Sequence, residues 1–283
     1  MNKTLVLDFD GTITDAEKEG GPFRGGYLED VAHLCGLPID EALRLADGFE
    51  DDVRANPKIH GWIFNGKIVA PATVDPYLRM MPVARKLMDH AGVFTSPVER
   101  DRLLDGILYK YNYPKTKTVF RDGAYECLHG LTGTHTYVVT NSHTAPVQGK
   151  VGQLQAENGP STLDWLIERV HGRAKKYVLD PAFTDVPESI SLPDLDRPVL
   201  LRRKHYHGVL AELLHKANSD WTKLTVVGDI FELDLALPLA LGARVGLVVN
   251  PFTPDYEKAY VESHPRGQLV QGLDEVAAFA FDD

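Results

Sequence analysis

Apolar positions along the chain fall into two patterns. Four short, mostly apolar runs rich in β-branched residues stand at Leu5–Phe9, Thr136–Val139, Leu224–Val227 and Val245–Val249, with a weaker one at Tyr177–Leu179. Runs of this kind predict strands covered on both faces, as in a parallel sheet. Between them apolar residues recur at i, i+3, i+4, i+7: Leu163, Leu166, Ile167, Val170, and again Leu210, Leu213, Leu214, Ala217. Each series predicts an amphipathic helix. Strands alternating with helices predict an α/β fold with a doubly wound parallel sheet.

One interval breaks the alternation. From about Ala16 to about Lys117 no strong strand pattern occurs, and Leu28–Leu34, Ile39–Phe49, Val83–His90 and Val98–Leu108 read as helices. The segment predicts a mostly helical domain, residues 16–117, inserted after the first strand of an α/β core made of residues 1–15 and 118–283. Within it GWIFNGKIV, Gly61–Val69, places Asn-Gly between apolar residues and predicts a small hairpin. Gly20–Gly26, GGPFRGG, reads as a hinge between the two parts. Asp180–Arg197, rich in Pro, Asp and Ser, reads as a surface loop or flap.

Composition narrows the partners. A formal net charge of -10 over 283 residues argues against non-specific binding to nucleic acid or an anionic membrane, both of which need clustered Lys and Arg. A phosphorylated small molecule is the expected partner, and it requires a cation to meet it. Cys35 and Cys127 lie far apart without CxxC spacing, so neither a disulfide framework nor a zinc site is expected, and a reducing cytoplasmic setting is. No apolar run approaches the ~18 residues of a membrane span, and no export signal is read at the N-terminus.

The candidate chemistry sits at the strand ends, where open α/β sheets bind ligands. The first strand runs into DFDGT: extended-chain alternation sends Asp8 and Asp10 to one side, Gly11 permits a tight turn, and Thr12 offers a hydroxyl toward a phosphate. Two such close carboxylates repel unless one is protonated or a cation intervenes. VVGDIFELD adds Asp229 and Asp234 at a second strand end, giving the all-oxygen surroundings Mg²⁺ prefers. Thr140, Asn141 and Ser142 end a third strand with hydroxyl, amide and backbone N–H groups suited to phosphoryl oxygens. Lys204, after the apolar run VLL and before the helix of Leu210 to Ala217, is the expected counter-charge.

Together DFDGT, TNS, Lys204 and GDIFELD, in that order, resemble the haloacid dehalogenase superfamily over the α/β core, and the insert stands where that family carries its helical cap of the first type. The resemblance implies a Mg²⁺-dependent phosphatase. It makes Asp8 the nucleophile that forms an aspartyl-phosphate and Asp10 the general acid and base. It assigns Mg²⁺ to Asp8, Asp229 and the Asp10 carbonyl, and the phosphoryl group to Thr140, Asn141 and Lys204. Asp234 orients the lysine or a metal-bound water. An aspartate at position 10 favours phosphate over halide chemistry, because a departing halide needs no proton. The lysine motif departs from the family, reading RRKHYH without the usual proline, so Arg202 or Arg203 could contribute. The stretch from Thr140 to Lys204 also exceeds one helix and one strand.

Other functions fit parts of this pattern. A phosphomutase keeps the same covalent step, and a phosphonate hydrolase recruits a cap lysine, for which Lys18, Lys58, Lys67 and Lys86 are candidates. A receiver-like phospho-acceptor uses a similar cluster without Asp10 and without so large an insert, and a catalytically silent binding module is disfavoured because every motif residue the chemistry needs is present. His205 and His207, the aromatics Trp62, Phe64 and Tyr77, and the basic residues of Arg79–Lys86 read as ordinary surface or core residues.

Overall fold

The computed structural model describes residues 2–111, 117–159 and 163–282. The chain begins with β1 (Thr4–Leu7) and passes into α1 (Ala16–Cys35) and α2 (Ile39–Ala55). The hairpin β2 (Gly61–Phe64) and β3 (Lys67–Pro71) follows, then α3 (Pro76–Ala91), α4 (Pro97–Tyr111) and α5 (Ala124–Gly130). The next elements are β4 (Thr136–Val139), α6 (Thr144–Asn158), the short α7 (Asp164–Ile167) and β5 (Val170–His171). A small pair, β6 (Ser189–Ile190) and β7 (Val199–Leu200), precedes α8 (Lys204–Ala217), β8 (Leu224–Gly228), α9 (Ala236–Ala240) and β9 (Arg244–Val248). The chain closes with α10 (Asp255–Ser263), β10 (Gly267–Val270) and α11 (Val276–Phe281).

Six strands form one parallel sheet in the order β10-β9-β8-β1-β4-β5. Leu5 and Leu7 pack with Val138, Val227 and Val248 in one cluster under α5, α6 and α11, while Val6 joins Tyr137, Val139, Val226 and Val245 under α8. That alternation is the pleat of strands buried on both faces. β1 lies between β4 and β8, and the strand order runs outward from it in both directions, so the crevice of this doubly wound sheet opens at the carboxyl end of β1.

The four long helices α1 to α4 pack around a separate apolar cluster that includes Phe23, Tyr27, Val31, Met80, Val83, Leu87 and Leu104. The β2–β3 hairpin turns at Asn65 and Gly66, both at positive φ. Ala70 and Val74 from this region meet Ile230 and Leu233, with Trp62 and Tyr177 packed alongside. Buried Arg203 ties the two layers together, donating to the Val69 carbonyl at 2.8 Å and also to the carbonyl of Lys176.

Several expectations are corrected. GGPFRGG is not a hinge but part of α1. Local propensity opposes a helix there, yet a Cβ on Gly20 would stand 2.6 Å from Pro76, so glycine is what lets α1 and α3 approach. Tyr177–Leu179 is a turn and irregular chain, not a strand. Of the expected Leu163–Val170 helix only Asp164–Ile167 is helical, and Val170 begins β5. The Asp180–Arg197 segment is not merely superficial: Phe183, Val186, Leu192 and Leu195 are buried in the sheet's core. Arg79 is 2% exposed rather than solvated, bonded to Glu17 and the Thr73 carbonyl. β10, whose GQLV sequence has no strong apolar run, was not anticipated.

Candidate active site

Asp8 follows β1 directly, and its backbone N–H donates to the Val227 carbonyl of β8 at 2.8 Å, which fixes it at the sheet's carboxyl edge. The chain then turns sharply at Gly11, with φ of +88°. A side chain at that position would collide with the carboxylate of Asp229, so glycine is required twice over. Arg121 fastens the same turn, its guanidinium donating to the Gly11 carbonyl at 2.7 and 2.9 Å.

The two carboxylates of DFDGT have different surroundings. Asp8 is 8% exposed, and its Oδ1 accepts from Lys176 Nζ at 2.6 Å. Asp10 accepts at Oδ2 from the hydroxyls of Ser142 (2.6 Å) and Thr140 (3.4 Å), and at Oδ1 from Lys150 Nζ (2.9 Å). Thr140 itself is set by a backbone bond to β5 and accepts at Oγ1 from the Ser142 N–H. Asn141 turns its side-chain oxygen to the backbone N–H of Lys176 at 2.8 Å. Thr12, expected to face a phosphate, is fully buried instead, with its hydroxyl 3.4 Å from both Asp8 Oδ2 and Asp229 Oδ1.

The lysine that meets Asp8 is Lys176, not Lys204. Lys204 opens α8, is 66% exposed and lies 3.6 Å from Asp180. Lys176 is 1% exposed and bridges Asp8 and Asp234, its Nζ 2.8 Å from Asp234 Oδ1. Neither Arg202 nor Arg203 replaces it: Arg202 donates to the Pro181 carbonyl, and the Arg203 guanidinium is spent on backbone carbonyls. The available signal was spacing, since Lys176 follows Thr140 by α6, the single turn of α7 and one short strand, a distance that Lys204 exceeds. Asp234 stands where expected, holding Lys176 through Oδ1 and the Ile230 N–H through Oδ2 at 3.1 Å.

Electrostatics mark this cluster as strained for charge. Burial pushes Asp8 up to about 7 against the pull of Lys176. Burial, followed by the fields of Asp8 and Asp234, raises Asp229 well above the usual carboxylate range. Burial acts the other way on Lys176, but Asp234 and Asp8 outweigh it and keep the ammonium above its ordinary value. Asp8, Asp229 and Asp234 each offer an oxygen within 4.8 Å of the others, and Asp229 accepts from the Thr12 hydroxyl at 3.4 Å. Hard oxygen donors, close together, with more negative than positive charge, fit a divalent cation such as Mg²⁺.

These groups face a cavity of about 300 Å³. Its floor includes Asp8, Asp10, Thr140, Asn141, Ser142, Asp229 and Asp234, and its roof includes Trp62, Asp75, Tyr77, Leu78 and Leu108 from the helical layer, with Glu19 and Lys150 also lining it. Trp62 and Tyr77, read from sequence as core aromatics, are therefore also cavity walls, and Trp62 packs on Tyr177 across the layers with ring centres 4.5 Å apart. Asp75 caps α3 by accepting from the N–H groups of Tyr77 (2.7 Å) and Leu78 (3.2 Å), and burial pushes it up to about 6. Lys18, Lys58, Lys67 and Lys86 pair with Asp15, Asp196, Glu188 and Asp52, and none lines the cavity.

No protein-family model matches the chain, and no curated protein matches it. Solved structures match over nearly its whole length. A conserved haloacid dehalogenase-like protein of unknown function from Agrobacterium tumefaciens is 13% identical, with 98% of this chain and 97% of that one covered and a TM-score of 0.52. A protein of Haemophilus somnus named as a predicted phosphoglycolate phosphatase is 16% identical, covering 98% and 96%, at a TM-score of 0.52. A magnesium-bound protein of Bacillus subtilis proposed to be a HAD hydrolase is 14% identical, covering 99% of each, at 0.51. At such identities the likeness is one of fold, and the chain has the haloacid dehalogenase-like fold.

Proposed function

We propose that this chain, built on the haloacid dehalogenase-like fold, is a Mg²⁺-dependent phosphatase that hydrolyses a small phosphomonoester through an aspartyl-phosphate on Asp8. The observation that carries the reading is the unequal environment of two carboxylates two residues apart. Asp8 is held in one orientation by an ammonium that favours its ionised form against burial, as a nucleophile requires. Asp10 is held by hydroxyls and a second lysine at the cavity wall, as a group that passes a proton requires. Residues 16–117 then serve as a cap over a core of residues 1–15 and 118–283.

In this mechanism an Asp8 oxygen attacks phosphorus, the bond from phosphorus to the ester oxygen breaks, and Asp10 gives that oxygen its proton. Water next attacks the aspartyl-phosphate, Asp10 takes a proton from it, and Asp8 is released with inorganic phosphate. Thr140 and the Asn141 N–H hold phosphoryl oxygens, and Lys176 keeps Asp8 aligned. Asp234 holds Lys176 in turn. Asp8, Asp229 and the Asp10 carbonyl would hold Mg²⁺, which supplies positive charge to the phosphoryl oxygens and relieves the repulsion among the carboxylates.

The test is phosphate release from a panel of phosphomonoesters, including an aryl phosphate and phosphoglycolate, with and without Mg²⁺, for wild type and Asp8→Asn. Release that needs Mg²⁺ and is lost in the variant supports the reading. Equal release from the variant, or none from any ester, defeats it. In the second case a phosphoryl transfer to another acceptor, or simple ligand binding, takes its place.

A further inference from the structure

Glu19 has no part in the mechanism above, yet it is a carboxylate only 4% exposed at the edge of the cavity. It stands in the first turn of α1, where its oxygens accept from the Val119 N–H at 3.1 Å and the Thr14 hydroxyl at 3.3 Å. What it meets on the cavity side is Lys150, whose Nζ lies 3.4 and 3.5 Å from its two oxygens. The same ammonium is 2.9 Å from Asp10 Oδ1. Asp10 is thereby bracketed, with Lys150 on one oxygen and Ser142 and Thr140 on the other.

A carboxyl group held at both oxygens has lost the freedom to turn, so the face from which it delivers a proton is set before substrate arrives. In the first step such a device matters only when the departing oxygen needs that proton. In the second, where Asp10 takes a proton from water, it serves every ester alike, so the comparison between esters is one of kcat/KM, which reports the first step. A nitrophenolate leaves readily without one, whereas an alkoxide does not. We propose that Lys150, seated on Glu19, is a positioning residue for Asp10, and that the substrate is accordingly an alkyl phosphate, whose leaving alcohol must be protonated as it departs. The inference rests on the phosphatase reading and extends it to the chemical class of the leaving group. Lys150 also lines the cavity, so a direct grip on the phosphoryl group is the rival role that the experiment must separate.

The experiment compares the full-length protein in Mg²⁺ on two esters, the best alkyl phosphate of the panel and a nitrophenyl phosphate, for wild type, Lys150→Met, Lys150→Arg, Glu19→Gln and Asp10→Asn. Lys150→Met is expected to lower kcat on the alkyl ester by about a hundredfold, within the span of general acid catalysis, and to lower the alkyl-to-aryl ratio of kcat/KM by at least about tenfold. KM for the alkyl ester moves less than about threefold, as loss of a transition-state interaction alone requires. Glu19→Gln shifts the ratio in the same direction, and Lys150→Arg restores part of it. In the Asp10→Asn background Lys150→Met adds little, because the two act as a unit. Equal losses of kcat/KM on both esters, a rise in KM together with weaker inhibition by inorganic phosphate, or full additivity with Asp10→Asn overturns the proposal. A wild type inactive on every ester overturns it together with the reading beneath it. Melting temperatures check the fold of each variant, and Glu19→Gln provides an independent arm should Lys150→Met fail to fold.

Discussion

At the strand ends the floor of the cavity presents charged, amide and hydroxyl side chains, several of them fixed by more than one partner, while Pro146, Val147, Ile230 and Leu233 also line it. Its roof presents aromatic and aliphatic surface with two carboxylates, Asp75 and, at the edge, Glu19. On the floor the sheet edge sets Asp8 through its bond to β8 and Thr140 through its bond to β5, and buried Lys176 holds Asp8 and Asp234 together. On the roof, Trp62 and Tyr77 are oriented by packing, Trp62 on Tyr177 and Tyr77 on Phe23. The difference separates chemistry from choice. A rigid polar floor suits a reaction that repeats on any phosphoryl group, and an apolar roof on a separate helical layer suits recognition of what that group is attached to.

Breaking the floor should cost most. Asp8→Asn removes the nucleophile and is expected to lower phosphate release at least about a thousandfold on every ester, while circular dichroism stays unchanged. Lys176→Met comes next. It leaves Asp8 and Asp234 buried beside one another without their cation, and breaking a buried pair in this way costs about 3–5 kcal/mol, to be read from urea unfolding. Lys204→Met, at the exposed position the sequence favoured, should stay within about 0.5 kcal/mol.

The floor also predicts a link between metal and pH. With folded-state values raised by burial, Asp8 to about 7 and Asp229 well above normal, the metal-free native protein keeps protons that the unfolded chain has released. The Asp8 contribution to stability is therefore full below pH ~4 and is lost as pH rises through about 7, and Asp229 acts in the same direction. Mg²⁺ binds the ionised carboxylates and should raise the melting temperature more at pH 8 than at pH 5, by up to about 3 kcal/mol in stability at a hundredfold excess over Kd. Asp229→Asn should flatten both the pH slope and the Mg²⁺ response; an unchanged response would remove Asp229 from the metal site.

Changes in the roof should be smaller and of another kind. Tyr77→Ala is expected to alter kcat/KM differently among esters, by about tenfold between the best and worst affected, with Mg²⁺ dependence untouched. A uniform loss across all esters would mean that the roof supports the reaction itself, and the contrast between the two regions would fall.

The same contrast governs what could be read from the sequence. Asp8, Asp10, Thr140, Asn141, Asp229 and Asp234 were legible because strand ends in a doubly wound sheet place them by chain-local rules: an apolar run, then a polar cluster. Lys176 was not, because the strand before it is only two residues long and its apolar Val170 coincides with the helical series from Leu163. Nothing local distinguished it from Lys204, and only the distance from Thr140 did. The roof residues were visible as aromatics but not as cavity walls, since their role depends on how a separate layer lies over the sheet. The bracket on Asp10 was hidden for a similar reason: Lys150 and Glu19 lie on different helices, 131 residues apart. The glycine-rich start of α1 shows tertiary packing overriding local propensity, with Gly20 fitted against Pro76.

The central claim is that Asp8 carries the phosphoryl group. Borohydride added during turnover of an aryl phosphate in Mg²⁺ reduces an acyl phosphate to the alcohol, and peptide mass spectrometry locates the change. The account predicts conversion of Asp8 to homoserine, dependent on substrate and Mg²⁺. Rapid turnover with Asp8 intact, or with the reduced residue at Asp10, Asp229 or Asp234, would contradict it.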